Sequence, residues 1–197
     1  DEAAQTLEEA LGIAGRLQAR FEDGRGLDAA TSVIGESVGV HAIALLAEAQ
    51  VRSGHAQDAA RSIENWQSRT LRRSYGSGED ISAHDLILWA EFAGAGLVTW
   101  VVGAESSVVV FVAPDGTAEG APIPRGRRAI EAAVRRLNEA VRGNDRAEAE
   151  RLGSEVSAGV LPPSISKRID EARGIVNARI LFLVHGPLER LPIEFLF

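Results

Sequence analysis

The stretch that decides the reading is RILFLVHGPLERLPIEFLF, Arg179 to Phe197. After Arg179 it runs apolar through Val184 with no polar alternation, the pattern of a strand covered on both faces in the middle of a parallel sheet sandwiched by helices. Gly186 and Pro187 then turn the chain at the carboxyl end of that strand. Pro192 suits the first turn of a helix, where no intrahelical donor is lost, and Leu191, Ile193 and Leu196 pack that turn down. Open α/β sheets place ligands at strand ends of this kind. A two-sided strand needs parallel neighbours reached through crossover helices. No such neighbour is expected within this chain, so the 197 residues read as part of a larger folded unit.

Working upstream, LVTWVV (Leu97–Val102) and VVVFVA (Val108–Ala113) are rich in β-branched and aromatic residues and form a β-hairpin across GAESS. PDGT makes a tight turn, with Gly116 taking the positive φ, and APIP adds a short third strand. Arg127 to Arg142 is a helix with Ile130, Val134, Leu137 and Val141 at helical spacing. Asn144 or Asp145 caps the next helix, which carries Ala149, Leu152 and Val156 inward. Pro162 and Pro163 reset the chain before a helix from Ser164 to Ala172.

The first 73 residues are helical in pattern, beginning with Leu7, Leu11, Ala14, Leu17 and Phe21 on one face, after which glycines punctuate short helices. The clearest unit is a helical hairpin from Val40 to Trp66. Ile43, Leu46 and Ala47 line one helix, Gly54 sits in the turn, and Ala59, Ile63 and Trp66 answer from the other. Small residues at 47 and 59 let the two backbones approach closely. Residue by residue this hairpin resembles a tetratricopeptide (TPR) repeat, with Gln50 standing where an aromatic is usual. Gly24, Ala29 and Val33 repeat the spacing of Gly54, Ala59 and Ile63 as a fainter, degenerate copy. SYGSGEDIS, Ser74 to Ser82, has the composition of a linker.

The order hairpin, PDGT, long helix, paired helices and ILFLVHGPLERLPIEFL resembles the front portion of a CHAT domain, the caspase-like cysteine peptidase domain associated with TPR repeats. Gly186, Pro187, Leu188, Leu191, Pro192 and Glu194 match its strand-turn-helix motif; His185 stands where aspartate is usual, and Ile193 replaces phenylalanine. The fold the resemblance implies is α+β or α/β. It comprises TPR-like repeats over residues 1–73, a linker at 74–82, and over 83–197 the first part of a caspase-like sandwich, incomplete in this chain. It also implies a bacterial, cytoplasmic cysteine peptidase whose histidine and cysteine lie downstream, with the remainder of the CHAT domain and a regulatory protein on the repeats as partners.

With no cysteine present, a histidine-activated thiolate cannot be assembled here, so the chain alone is expected to be catalytically silent and no catalytic residue is assigned. His185 is a hydrogen-bonded turn residue that can also line a substrate pocket with Gly186, Pro187 and Glu194. The one dense basic cluster contains Arg125, Arg127 and Arg128, followed by Arg135 and Arg136. Arginines at a helix start oppose the macrodipole by a few tenths of a kcal/mol up to about one, which marks Arg125, Arg127 and Arg128 as candidates for an anionic contact. His84 with Asp85, His41 and His55 lack metal-ligand spacing, so no metal or cofactor is expected. FAGAGL precedes a strand instead of opening a helix and is no dinucleotide loop. A net charge of −7 offers no general attraction to nucleic acid or anionic lipid. No signal peptide or bilayer span is evident. The alternative reading is a non-enzymatic, TPR-like adaptor.

Overall fold

Two adjoining runs of β-branched residues and two sets of helices settle into three layers. The computed structural model describes residues 29–75, 88, 92, 94–174 and 179–195. Helix α1 (Ala29–Arg52) turns through Gly54, at φ +82°, into α2 (Ala56–Tyr75). Strands β1 (Ala95–Val102), β2 (Ser107–Val112) and β3 (Ala118–Ile123) form an antiparallel meander. Helices α3 (Arg127–Arg142), α4 (Arg146–Val160) and α5 (Pro163–Arg173) follow, and β4 (Arg179–Leu183) returns to lie parallel to β1. The sheet order is β3-β2-β1-β4.

The period-two alternation of the strands feeds two cores. Leu97, Val101, Val108, Val110 and Val112 face α1 and α2, where Ile43, Leu46, Ala47, Ala59 and Ile63 meet them. Val98, Trp100, Val109 and Phe111 face the other layer, against Ile130, Leu137, Val156, Ile165 and Ile169 of α3 to α5. Both faces being covered, every residue of β1 and β2 is buried. The indole N–H of Trp100 donates to the Val160 carbonyl at 2.9 Å, so the largest core side chain on this face keeps its polar atom satisfied.

The strand at 179–183 is where expectation and structure part. It has a sheet within this chain, because β1 of the hairpin offers a parallel edge, with Ala95 opposite Arg179 and Thr99 opposite Leu183. The two-sided covering holds: Ile180, Phe182 and Val184 pack on one core, Leu181 and Leu183 on the other. The coverage is partial, however, and among the described residues β4 is a margin of the sheet and not an interior strand.

The hairpin of α1 and α2 forms as read, and among the described residues its inner face is continuous with the sheet core. Gln50, in the place of the usual aromatic, is buried and donates to Ser62 Oγ across the hairpin at 3.2 Å. The fainter second copy does not make a separate hairpin: Ala29 and Val33 belong to the same continuous helix as Arg52, and Gly39 interrupts nothing. Gly24, the first helix at Leu7 to Phe21 and residues 76–82 of the linker read at 74–82 lie outside the described residues, while Ser74 and Tyr75 belong to α2 and not to the linker.

Local signals elsewhere resolve cleanly. Asp145 caps α4 by accepting from Glu148 N at 3.1 Å. Asn144 belongs instead to the end of α3: at φ +58° it takes the left-handed position of a Schellman motif, with Asn144 N bonded to Val141 O and Asp145 N to Ala140 O. In the PDGT turn, Gly116 has φ +79° and Asp115 accepts from the Thr117 amide and hydroxyl.

Candidate functional site

At the carboxyl end of β4 the chain leaves the sheet through His185 and enters a 3-10 turn, Gly186–Arg190. Gly186 stands at φ +64°, a conformation that a side chain resists. The turn is stapled by Glu189, whose Oε1 accepts from the Gly186 amide at 2.9 Å and lies 2.8 Å from His185 Nδ1. The His185 hydrogen bond first, and the Gly186 N–H second, hold the Glu189 carboxyl below the usual carboxylate range. A charged acceptor at Nδ1 fixes the proton there and leaves Nε2 as the ring's open nitrogen. The Trp66 ring of α2 sits against the imidazole, centroids 5.6 Å apart and tilted by 55°. Asn138 of α3 donates to Arg190 O at 2.8 Å, pinning the far end of the turn to the helix.

Two cavities meet at this turn. One of about 110 Å³ has Val40, Trp66, Trp100, Val101 and Val102 as apolar wall, with Arg127, His185 and Glu189 its polar members. The other, about 610 Å³, runs along α3, lined by Arg127, Glu131, Arg135, Asn138, Glu139 and Arg142 and, across from them, by the 186–190 turn. Arg127, Gly186, Pro187 and Glu189 border both.

Of the residues singled out from sequence, His185, Gly186 and Pro187 come together in these cavities. Glu194, in the short 3-10 segment Ile193–Phe195, is exposed and lines neither. The arginine cluster is split. Arg127 borders both cavities, with a loose ion pair to Glu131 at 3.9 Å. The Arg125 guanidinium instead lies over Gly159 of α4, where an added Cβ would stand 2.5 Å from Nη1. Arg128 is exposed on the first turn of α3 and borders neither cavity. Sequence reasoning missed Glu189, Trp66 and Asn138 as members of the site. Glu189 alone had a local signal, a carboxylate four residues after a histidine across a glycine turn.

Among the described residues no three metal-ligating side chains converge, and no helix is long and apolar enough to cross a membrane. Compared with known protein families, curated proteins and solved structures, the chain finds no match in any of the three.

Proposed function

We propose that the chain is the amino-terminal, non-catalytic part of a TPR–CHAT caspase-like cysteine peptidase, with further strands extending the sheet beyond β4. One observation carries the reading. β4 lies parallel to β1 and sends its side chains into both cores, yet it is only partly covered and its outer edge has no strand beside it among the described residues. Unpaired strand edges are templates for another strand. A parallel strand placed there would put its own carboxyl end beside His185 and the two cavities, where open α/β sheets place ligands.

On this reading the thiolate and its histidine belong to the remainder of the parent protein, and His185, Gly186 and Pro187 shape the neighbouring substrate pocket. The test uses the product of the whole gene. Its β4 amides pointing away from β1 exchange hydrogen slowly, whereas in the 197-residue chain they exchange fast, and a thiol-reactive peptidyl probe labels it at one cysteine. Protection without labelling favours the adaptor alternative. Fast exchange in the whole product removes the reading.

A further inference from the structure

We propose that the double cavity between α3 and the 186–190 turn binds a short acidic peptide segment, an aliphatic side chain entering the small pocket and carboxylates reaching the arginines of α3. The inference goes beyond the peptidase reading, since it needs neither a cysteine nor a completed sheet.

The small pocket sets the anchor. Since roughly 150 Å³ holds a benzene ring, the pocket of about 110 Å³ has room for a branched aliphatic side chain laid on Val40, Trp66 and Trp100, with Arg127, His185 and Glu189 completing the lining. Arg127 and the Gly186 turn border both cavities, so a chain anchored in the first continues directly into the second.

The larger cavity sets the charge pattern. Arg127, Arg135 and Arg142 lie along one face of α3, eight and seven residues apart, which at 1.5 Å per residue is roughly 12 and 10 Å. An extended peptide advances about 3.3 Å per residue, so acidic residues three or four apart meet successive arginines. The lining holds four arginines, counting Arg190, against three glutamates, a local +1 on a chain of net charge −7. The glutamates are also the more engaged: Glu189 is turned onto His185 and Gly186, and Glu131 is shared with Arg127. Among the described residues Arg135 and Arg142 make no ion pair.

A peptide fits better than nucleic acid. Glu131 and Glu139 interrupt the arginines along the lining, which carboxylates spaced three or four residues apart tolerate and a continuous phosphate backbone does not.

The test measures fluorescence anisotropy of labelled peptides on the full 197-residue chain. The probes are a peptide with glutamates three or four apart beside a central leucine, the same peptide with glycine for that leucine, its lysine counterpart, and a single-stranded oligonucleotide of equal length. The leucine-containing acidic peptide binds tightest, and the glycine version is several-fold weaker. Arg135→Glu with Arg142→Glu weakens binding about tenfold and flattens its salt dependence, as expected for two reversed surface charges. Arg146→Glu, at a 91% exposed side chain on α4 outside the cavity, changes nothing. If circular dichroism shows the reversed pair unfolded, the Arg135→Gln, Arg142→Gln pair gives the same direction. Absent acidic-peptide binding, equal binding of the lysine peptide, preference for the oligonucleotide, or indifference to both arginine pairs each overturns the proposal.

Discussion

Replacing Gly120 by alanine asks whether the α1–α2 hairpin is a layer of this sandwich or a body loosely attached to it. In a bare strand, glycine to alanine is neutral or stabilising by about 0.4–1 kcal/mol, because the unfolded chain loses freedom. Here an added Cβ would stand 3.3 Å from Val51 Cγ1 and 3.4 Å from Val51 Cβ, and closer still to Cγ2. In a helix Val51 strongly prefers one χ1 rotamer, so turning its hydrogen toward the new methyl is costly and relief falls largely on α1 moving off β3. Overpacking of this kind costs about 1–3 kcal/mol. After the entropic gain, Gly120→Ala is expected to destabilise by about 1–2 kcal/mol. For a chain of this length that is a fall in Tm of about 2–8 °C. Val51→Ala alone loses packing at a half-buried position, yet it opens the space the new methyl needs. The double variant is therefore more stable than the sum of the single effects by about 1 kcal/mol or more. Urea titrations followed by tryptophan fluorescence read all four corners of the cycle. Gly120→Ala equal to or more stable than the parent, or a double variant that is simply additive, would refute the close packing of α1 on the sheet.

Glu189→Ala removes the acceptor of two hydrogen bonds. Given the exposed carboxylate it lowers stability by about 0.5–1 kcal/mol at pH 7. The folded-state carboxyl is depressed, so the difference from the parent is fully present above the unfolded pKa of about 4.3 and narrows as pH falls through the folded value; a gap unchanged at pH 3 would contradict the staple. Asp145→Ala, which removes the α4 cap bond to Glu148 N, costs about 1 kcal/mol in the same titration. Trp100→Phe strands the Val160 carbonyl and leaves space beside Phe182. It lowers stability by about 2–3 kcal/mol, as read by the urea midpoint.

What the sequence discloses is what neighbours along the chain decide. Arg127–Arg142 was legible because Ile130, Val134 and Leu137 share one helical face, and those side chains are the buried ones. The β1–β2 hairpin and the PDGT turn were legible because each closes within a few residues. The β1–β4 pairing was not: nothing local in Arg179–Leu183 says that Ala95–Thr99 will lie beside it. Glycine misled in α1. Gly39 costs helix propensity, yet the helix runs through it unbroken and an added Cβ there would make only an ordinary contact with the Trp66 indole, at 3.4 Å. The site divides the same way. His185, Gly186 and Pro187 are consecutive and were found together, whereas Trp66 and Asn138 arrive from other layers. Arg125 and Arg127 are two residues apart yet diverge, because one precedes the helix in extended chain and the other is its first residue.

The two margins of the sheet are built differently, and the difference bears on what this surface is for. Solvent-facing edge strands are kept from pairing by prolines, charges and shortness. β3 has these features: Pro122 removes a backbone donor, Gly120 weakens the strand, and Glu119 meets Arg168 of α5 at 3.4 Å. β4 is short, but beyond Arg179 it carries only Ile180, Leu181, Phe182 and Leu183, with no proline and no further charge. Those four side chains already contact both cores while remaining half-exposed. Packing on both faces accounts for an apolar residue at each of those positions, while beyond Arg179 the strand carries none of the devices that keep β3 from pairing. β4 is therefore the margin on which the proposed further strands would pair, and its carboxyl end is where His185 leaves the sheet.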